Sequence, residues 1–123
     1  MKHKGLLMIV LLAAAAAYAG GEWQFALRPA DASYVLYGQD LGDPAAPSRA
    51  DSKVAFEVRG PGAREIFDSI GPDQKGVCTS DPGTAYRSRH GGRLVCTRHG
   101  KREYTCRFGF DLESGKSIGG SIC

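Results

Sequence analysis

The sequence predicts an α+β domain in which a small, mostly antiparallel β-sheet carries one short helix and is stabilised by disulfides. Three observations support this fold class. Short apolar stretches with a two-residue period alternate with turns rich in glycine and proline. Only one stretch has helical spacing, and all four cysteines lie in the last 46 residues of the chain. Such crowding of cysteines is typical of a small exported domain.

The first 19 residues have the three parts of a secretory signal peptide. Lys2 and Lys4 form a charged start, residues 5–17 form an apolar run, and small residues in Ala17-Tyr18-Ala19 suit signal-peptidase cleavage. The run is shorter than the roughly 20 apolar residues that span a bilayer. We therefore expect a signal peptide over 1–19, a single small periplasmic or secreted domain over 20–123, and no transmembrane anchor in the mature chain.

The beginning of this domain predicts two short strands and a loop. Residues 23–27 and 34–37 are apolar stretches separated by a proline-containing segment, which is typical of strands joined by a turn. Residues 42–52 are rich in proline and alanine and have no apolar period. We expect this segment to be a mobile surface loop.

The central part of the domain predicts a strand, a turn and a helix. Residues 53–59 alternate between apolar and polar types, so a half-buried strand is expected to bury Val54, Phe56 and Val58. After the turn Gly60-Pro61-Gly62, helical spacing places four apolar side chains on one face: Ala63, Ile66, Phe67 and Ile70. Gly71-Pro72 is expected to end the helix.

The C-terminal part predicts further strands, so that the sheet has about four to six in all. We expect strands over 86–89, 93–98, 103–112 and 117–123, with a glycine-containing hairpin turn over 99–102. Alternation in the longest of these strands points four side chains toward the core: Tyr104, Cys106, Phe108 and Phe110.

The even cysteine count predicts two disulfides, for which three connectivities are possible. The four cysteines are Cys78, Cys96, Cys106 and Cys123. Cys96 and Cys106 both fall on inward-facing positions of the predicted hairpin. Because a direct bond between facing hairpin positions is often strained, we favour the pairs Cys78–Cys96 and Cys106–Cys123.

Charge is distributed unevenly along the domain. Residues 20–73 hold five basic and nine acidic side chains, a net of −4, whereas residues 84–107 hold seven basic ones and one acid, a net of +6. The basic stretch predicts a surface for an anionic partner, such as an acidic protein, a phosphorylated envelope glycan or nucleic acid. The alternative is a solvated hairpin whose charge serves solubility. The candidate binding residues are Arg87, Arg89, Arg93, Arg98, His99, Lys101, Arg102 and Arg107.

No complete catalytic, cofactor or metal motif is present in the sequence. Three weaker patterns contain some of the residue types that such sites use. His90 and His99, with Glu103 or Asp111, have the residue types of a general acid–base pair for phosphodiester cleavage. Cys96-x-x-His99, with Cys106 and His90 nearby, has ligand types that suit zinc. The free N–H groups of the helix that begins at residues 60–62 suit an anion, although glycine and proline there are simply turn formers.

The C-terminal part resembles a group of small exported bacterial proteins over residues 54–123. The similarity lies in Val54-Ala55-Phe56, in Ile66-Phe67-Asp68, and most closely in the YTCxFGFDL stretch that begins at Tyr104. The resemblance implies a periplasmic setting and a disulfide-bearing α+β domain, and it supplies no catalytic residues.

Taken together, these patterns predict a non-enzymatic exported binding module whose basic segment 87–107 contacts the partner. Two other functions remain open at the level of sequence. One is an inhibitor or immunity protein against a secreted enzyme, which would use the acidic segment 20–73. The other is a secreted hydrolase or nuclease that would use His90 and His99.

Overall fold

The computed structural model describes residues 22–75 and 81–122, so the predicted signal peptide, Cys78 and Cys123 lie outside the described residues. Within these ranges the chain forms one helix and a mostly antiparallel sheet, which confirms the predicted α+β class. The elements, in order, are β1 (Asp31–Asp40), β2 (Asp43–Ala45), β3 (Lys53–Arg59), α1 (Gly60–Ser69), β4 (Thr84–Arg89), β5 (Leu94–His99), β6 (Glu103–Asp111) and β7 (Ser117–Ile118).

The sheet has the strand order β2-β1-β3-β6-β5-β4, and β7 pairs with the end of β6. Every pairing is antiparallel. Strands β4, β5 and β6 form a meander, whereas α1 connects β3 to the far edge of the sheet, where β4 lies. The centre of the sheet is therefore β3 and β6, and the two edges are β1 with β2 on one side and β4 on the other.

The core lies between α1 and one face of the sheet. The strand register aligns Val58, Cys106 and Cys96 in one row across β3, β6 and β5, so their side chains share a face. Ala63 and Phe67 of α1 pack on this row and are completely buried. The predicted apolar face of the helix is thus the face that meets the sheet.

Cys96 and Cys106 form a disulfide with each other, which overturns the expected pairing of each with a more distant cysteine. They occupy directly opposed positions of the β5–β6 hairpin, with a Cα–Cα distance of 4.0 Å, and both side chains are fully buried beneath α1. Opposed residues of an antiparallel pair project toward the same face, which brings the two sulfur atoms together. The Sγ atom of Cys106 also lies 3.4 Å from the carbonyl oxygen of Ala63.

The helix begins at Gly60, so the residues expected to form a turn before it are its first residues, and it ends at Ser69, just before the expected stop at Gly71-Pro72. Pro61 lies in the first turn, where its missing N–H leaves no hydrogen bond unmade. At the other end, the N–H of Ile70 donates to the carbonyl oxygen of Phe67, and Gly71-Pro72 prevents a further turn. Within the part of the chain that the structure describes, no helix has the length and apolar character needed to cross a membrane.

Three expectations for the N-terminal half differ from the structure. Residues 23–27 form no strand, since they pair with none of the strands in the described ranges, and Trp23, Phe25 and Leu27 are exposed. The segment 42–52, expected to be a loop, contains β2, which pairs with the end of β1 through a tight hairpin. Ala55 is buried although its place in the alternation predicted exposure.

Ala55 is buried because the face of the sheet opposite α1 is also partly covered. This second face buries Tyr37, Tyr86 and Val95 as well. The C-terminal segment that follows β7 contributes to the cover, since Gly120 lies against the backbone of Phe108. A Cβ atom at Gly120 would approach the Phe108 carbonyl oxygen to 2.3 Å, so only glycine fits this position.

The disulfide assignment can be checked by peptide mapping without reduction. Trypsin cleaves after Arg98, Lys101 and Arg102, which all lie between Cys96 and Cys106. We expect two peptides that contain these cysteines to remain joined until a reductant is added. Cys78 and Cys123 are the other two cysteines of the chain. Peptides that link Cys96 to Cys78, or Cys106 to Cys123, would contradict the structure.

Candidate anion-binding groove

The predicted basic surface is divided between both faces and both ends of the sheet. Because side chains alternate along a strand, Arg87, Arg89 and Arg98 point to the face that carries α1, whereas His99 and Arg107 point to the other. The remaining residues lie in hairpin turns, with Arg93 in the β4–β5 turn and Lys101 and Arg102 in the β5–β6 turn. The structure therefore does not bring the eight predicted residues together.

Arg87 and Arg98 pack against the core. The guanidinium carbon of Arg87 lies 3.9 Å from the centre of the Phe67 ring, and that of Arg98 lies 5.6 Å from it. Arg87 also donates from Nη1 to the Phe67 carbonyl oxygen at 2.8 Å and from Nε to Asp73 at 2.7 Å. Stacking on an aromatic ring and capping the end of a helix are stabilising roles for a cation.

Three further basic residues have partners nearby. Arg89 donates to the carbonyl oxygens of Ser88 and Gly71. Arg93 contacts the ring of His90. Arg107 donates to Glu57 at 3.1 Å on the face opposite α1, where Glu57 also contacts Arg59. The ion pair with Glu57 compensates the charge of Arg107, whereas the other contacts occupy hydrogen-bond donors of Arg89 and Arg93 without cancelling their charge.

His90 and His99 lie at opposite ends of β5, which separates them by about 17 Å at the usual rise of a strand. His90 lies in the β4–β5 turn, whereas the Nδ1 atom of His99 is 2.9 Å from the Thr84 hydroxyl and 3.4 Å from Asp81. An acid–base pair that acts on one phosphodiester needs both groups within hydrogen-bond reach of the reacting atoms. The hydrolase hypothesis therefore lacks its catalytic pair.

One groove does collect basic side chains from separate parts of the chain. It lies between the start of α1 and the β5–β6 turn and has a volume of about 480 Å³. Three cationic side chains and one aromatic ring line it, together with the backbone at the helix start. The lining residues are Gly60, Pro61, Arg64, Lys101, Arg102 and Tyr104.

The groove is positively charged and has little internal compensation. Lys101 and Arg102 are exposed and make no ion pair with an acidic side chain of the described ranges. Arg64 lies 5.8 Å from the centre of the Tyr104 ring and 3.8 Å from Asp68 on its own helix. The first turn of α1 contains no acidic residue, so the partial positive charge of the helix start adds to that of the side chains.

Arg64 is the member of this groove that sequence reasoning missed. It lies outside the predicted apolar face of the helix, and that face is the strongest pattern in this stretch of the sequence. The local signal was its place one turn after the helix start at Gly60-Pro61. The approach of the β5–β6 turn to that helix start depends on the pairing of β3 with β6, which the sequence does not reveal.

The zinc interpretation is excluded at the residues proposed for it. Cys96 and Cys106 are joined to each other, so neither can supply the thiolate that a zinc site needs. Among residues 22–75 and 81–122, no group of three or more histidine, cysteine, aspartate or glutamate side chains is placed to hold a metal ion.

A second charged cluster, at the opposite end of β3, has a structural role. The pKa of Asp51 is lowered chiefly by a hydrogen bond from Lys53 and, to a smaller extent, by one from the Gln39 N–H at 2.7 Å. The hydrogen bond between Lys53 and Asp51 also raises the pKa of Lys53. Burial raises the pKa of the neighbouring Tyr37. Backbone N–H groups of the β6–β7 turn, Ser114 first, lower the pKa of Asp111. These contacts hold loops to the sheet.

The acidic segment 20–73 is also largely paired within the molecule. Glu57 contacts both Arg59 and Arg107. Asp51 contacts Lys53, and Asp73 contacts Arg87. Glu65 contacts Arg28 at 2.9 Å. The acids thus form separate ion pairs along the surface. The inhibitor hypothesis would therefore use acids whose charge is partly compensated by these basic neighbours.

No protein-family model, curated protein or solved structure gives a significant match to the chain. The resemblance to small exported bacterial proteins therefore stays a prediction.

Replacement of Arg87 tests whether it belongs to the core or to a binding surface. Arg87→Leu removes the hydrogen bond to the Phe67 carbonyl oxygen and the contact with its ring. We expect the free energy of unfolding in urea to fall by about 1–3 kcal/mol. Arg102→Leu, in the exposed turn, should change it by no more than about 0.5 kcal/mol. Equal effects of the two substitutions would contradict the structural role of Arg87.

The pKa of Asp51 predicts a dependence of stability on acid. The pKa of Asp51 is lower in the folded state than its unfolded-state pKa of about 3.9. The ionised side chain therefore stabilises the fold above that unfolded-state pKa, and this contribution is lost as the pH falls through the folded-state pKa. Asp51→Asn should therefore be less stable than wild type at pH 6, and this difference should shrink toward pH 2. Urea unfolding at several pH values measures it. A difference independent of pH would show that the charge of Asp51 is unimportant.

Proposed function

We propose that this protein is a non-enzymatic binding module that is exported to the periplasm or secreted, and that it binds an anionic partner in the groove between α1 and the β5–β6 turn. The observation that carries the proposal is the convergence of Arg64, Lys101 and Arg102 on one groove of about 480 Å³. The export rests on the predicted signal peptide and agrees with a buried disulfide, a bond that persists in oxidising compartments.

The charge of the groove favours an anion because it is not used inside the protein. Of the predicted basic residues, Lys101 and Arg102 are the two for which the described residues supply no partner. Cations on a short exposed turn are in contact with water and not with acidic groups of the protein. Their charge is therefore available to a ligand that replaces this water, although removing the water costs free energy. The other predicted residues are stacked, paired or bonded to backbone oxygens, so the proposed contact surface is smaller than the segment 87–107.

Tyr104 gives the groove an apolar wall. Its ring is half-buried and meets the Phe67 ring edge-on at 5.3 Å between centroids, which fixes its orientation. A tyrosine held in this way offers a flat surface and a hydroxyl next to three cations. This combination suits a carboxylate or phosphate carried on a larger partner better than a free inorganic ion, because the partner's carbon skeleton can pack on the ring.

A matched pair of variants tests the proposal. Lys101→Ser/Arg102→Ser removes two charges from the groove, whereas Arg49→Ser/Lys116→Ser removes two from the opposite end of β6, about 26 Å away along the strand. The probes are fluorescent oligothymidylate and fluorescent poly-glutamate, and binding is measured by anisotropy at 25 and 150 mM NaCl. We expect the groove variant to bind at least about tenfold more weakly and the control to change less than about threefold.

Two results would count against this function. Absence of binding to both polyanions at 25 mM NaCl would remove the basis for an anionic partner. Equal weakening by the two double variants would show that net charge, and not the groove, attracts the probe. Preference for one probe would distinguish a phosphate-bearing partner from an acidic protein. Binding to the groove should also weaken with salt, because released counterions contribute to the affinity.

A further inference from the structure

The two edges of the sheet differ in how the exposed backbone groups of the edge strand are covered. At the β4 edge, Gln74 covers the exposed backbone: its N–H donates to the Tyr86 carbonyl oxygen at 2.8 Å, and its side-chain amide donates to that of Ser88 at 3.3 Å. The Ser88 hydroxyl donates in return to the Gln74 amide oxygen at 2.7 Å. Arginines at 87 and 89 add charge to the same strand. Capping and charge are the usual ways to prevent an edge strand from pairing with another chain.

The β1 edge has no such protection over residues 31–37. These residues pair with β3 on one side, and β2 reaches only Gly38–Asp40 on the other. Within the described part of the chain, no other strand pairs with the outer edge of this stretch. Residues 32–37 contain no charge, no proline and no glycine. Tyr34 is 70 % exposed, and Val35 and Leu36 are nearly half exposed.

We propose that this edge pairs with the same edge of a second copy of the chain, antiparallel and centred on Tyr34. The open stretch is seven residues long, so a two-fold axis at its middle residue uses all of it. In this register Tyr34 meets Tyr34, and Ser33 meets Val35. Asp31 falls opposite Tyr37, which is itself paired with Lys53 of its own chain. No like charges are opposed along the seam.

The aromatic side chains favour the same partner. On the α1 face, Tyr34, Phe56 and Phe108 form a row across β1, β3 and β6, with ring centroids 6.3 and 5.3 Å apart. The row ends at Tyr34, which is exposed. Pairing centred on this residue joins the rows of the two copies into one and buries the ring that is now in water. Aromatic pairs across neighbouring strands are among the most stabilising cross-strand contacts.

The segment before β1 carries three exposed apolar side chains close in sequence to the start of the seam. Trp23, Phe25 and Leu27 are more than 80 % exposed, and Arg28 is held near α1 by Glu65. A pair of seven-residue strands alone buries less than the roughly 1,200 Å² of a stable interface, so the dimer is expected to be weak and dependent on concentration. We expect a dissociation constant in the micromolar range. This inference does not rest on the proposed anion-binding function.

Sedimentation of the purified exported chain from about 1 to 500 µM tests the proposal. We expect the wild-type protein to pass from monomer to dimer over this range. Tyr34→Lys and Tyr34→Glu place like charges against each other at the two-fold axis, so each variant alone should dimerise at least about tenfold more weakly. Leu112→Lys, which introduces the same charge at another exposed apolar position, should dimerise like wild type.

An equimolar mixture of the lysine and glutamate variants of Tyr34 gives the sharpest result. The opposite charges then face each other, and we expect the dimer to return. Circular dichroism of each variant shows whether its fold is retained. A wild-type chain that remains monomeric at 500 µM would overturn the proposal. So would a dimer that both Tyr34 variants leave intact, or folded variants whose mixture fails to associate.

Discussion

The packing of Phe67 on the Cys96–Cys106 disulfide is the contact on which the rest of the molecule depends. A ten-residue helix is too short to be stable in water by itself, so α1 exists because this face is buried. The disulfide holds β5 and β6 together beneath the ring, and Arg87 of β4 approaches it from the side. One aromatic side chain therefore connects the helix to three of the strands.

The same contact positions the candidate groove. Tyr104 meets the edge of the Phe67 ring and in turn lies under Arg64, so the wall of the groove and one of its cations follow from how the helix sits on the sheet. Lys101 and Arg102 are brought to the helix start because the β5–β6 turn lies at the end of β3 from which α1 begins. The groove is thus a consequence of how the core is packed.

The basic stretch shows why a count of charges overstates a binding surface. Arginine has a planar group that stacks on rings and several donors that satisfy carbonyl oxygens, so it is well suited to the margin of a small core. Arg87 and Arg89 use these properties at the end of α1 and at the β4 edge, respectively. Among the eight predicted residues, the cations for which the described residues supply no partner are Lys101 and Arg102 on the β5–β6 turn.

The groove and the open β1 edge occupy different parts of the molecule. The groove lies at one end of the sheet, between a turn and the helix, whereas the edge runs along its side. Binding of an anion and pairing of two copies would therefore not compete for the same residues. In the proposed dimer the two grooves would be related by the two-fold axis, and a long anionic partner could engage both.

Much of the fold follows from local patterns that are visible in the sequence. The alternation over residues 53–59, the helical spacing of Ala63 and Phe67, and the glycine-containing turn at 99–102 each determine an element, because a period and a turn depend only on neighbouring residues. The four cysteines likewise indicated a disulfide-bearing domain. Tertiary structure decided the features that join distant residues: which cysteine bonds to which, which arginines are free, and why residues 23–27 remain unpaired. These outcomes depend on strand order and register, which place Cys96 opposite Cys106 and Arg64 beside Arg102, and no local pattern encodes them.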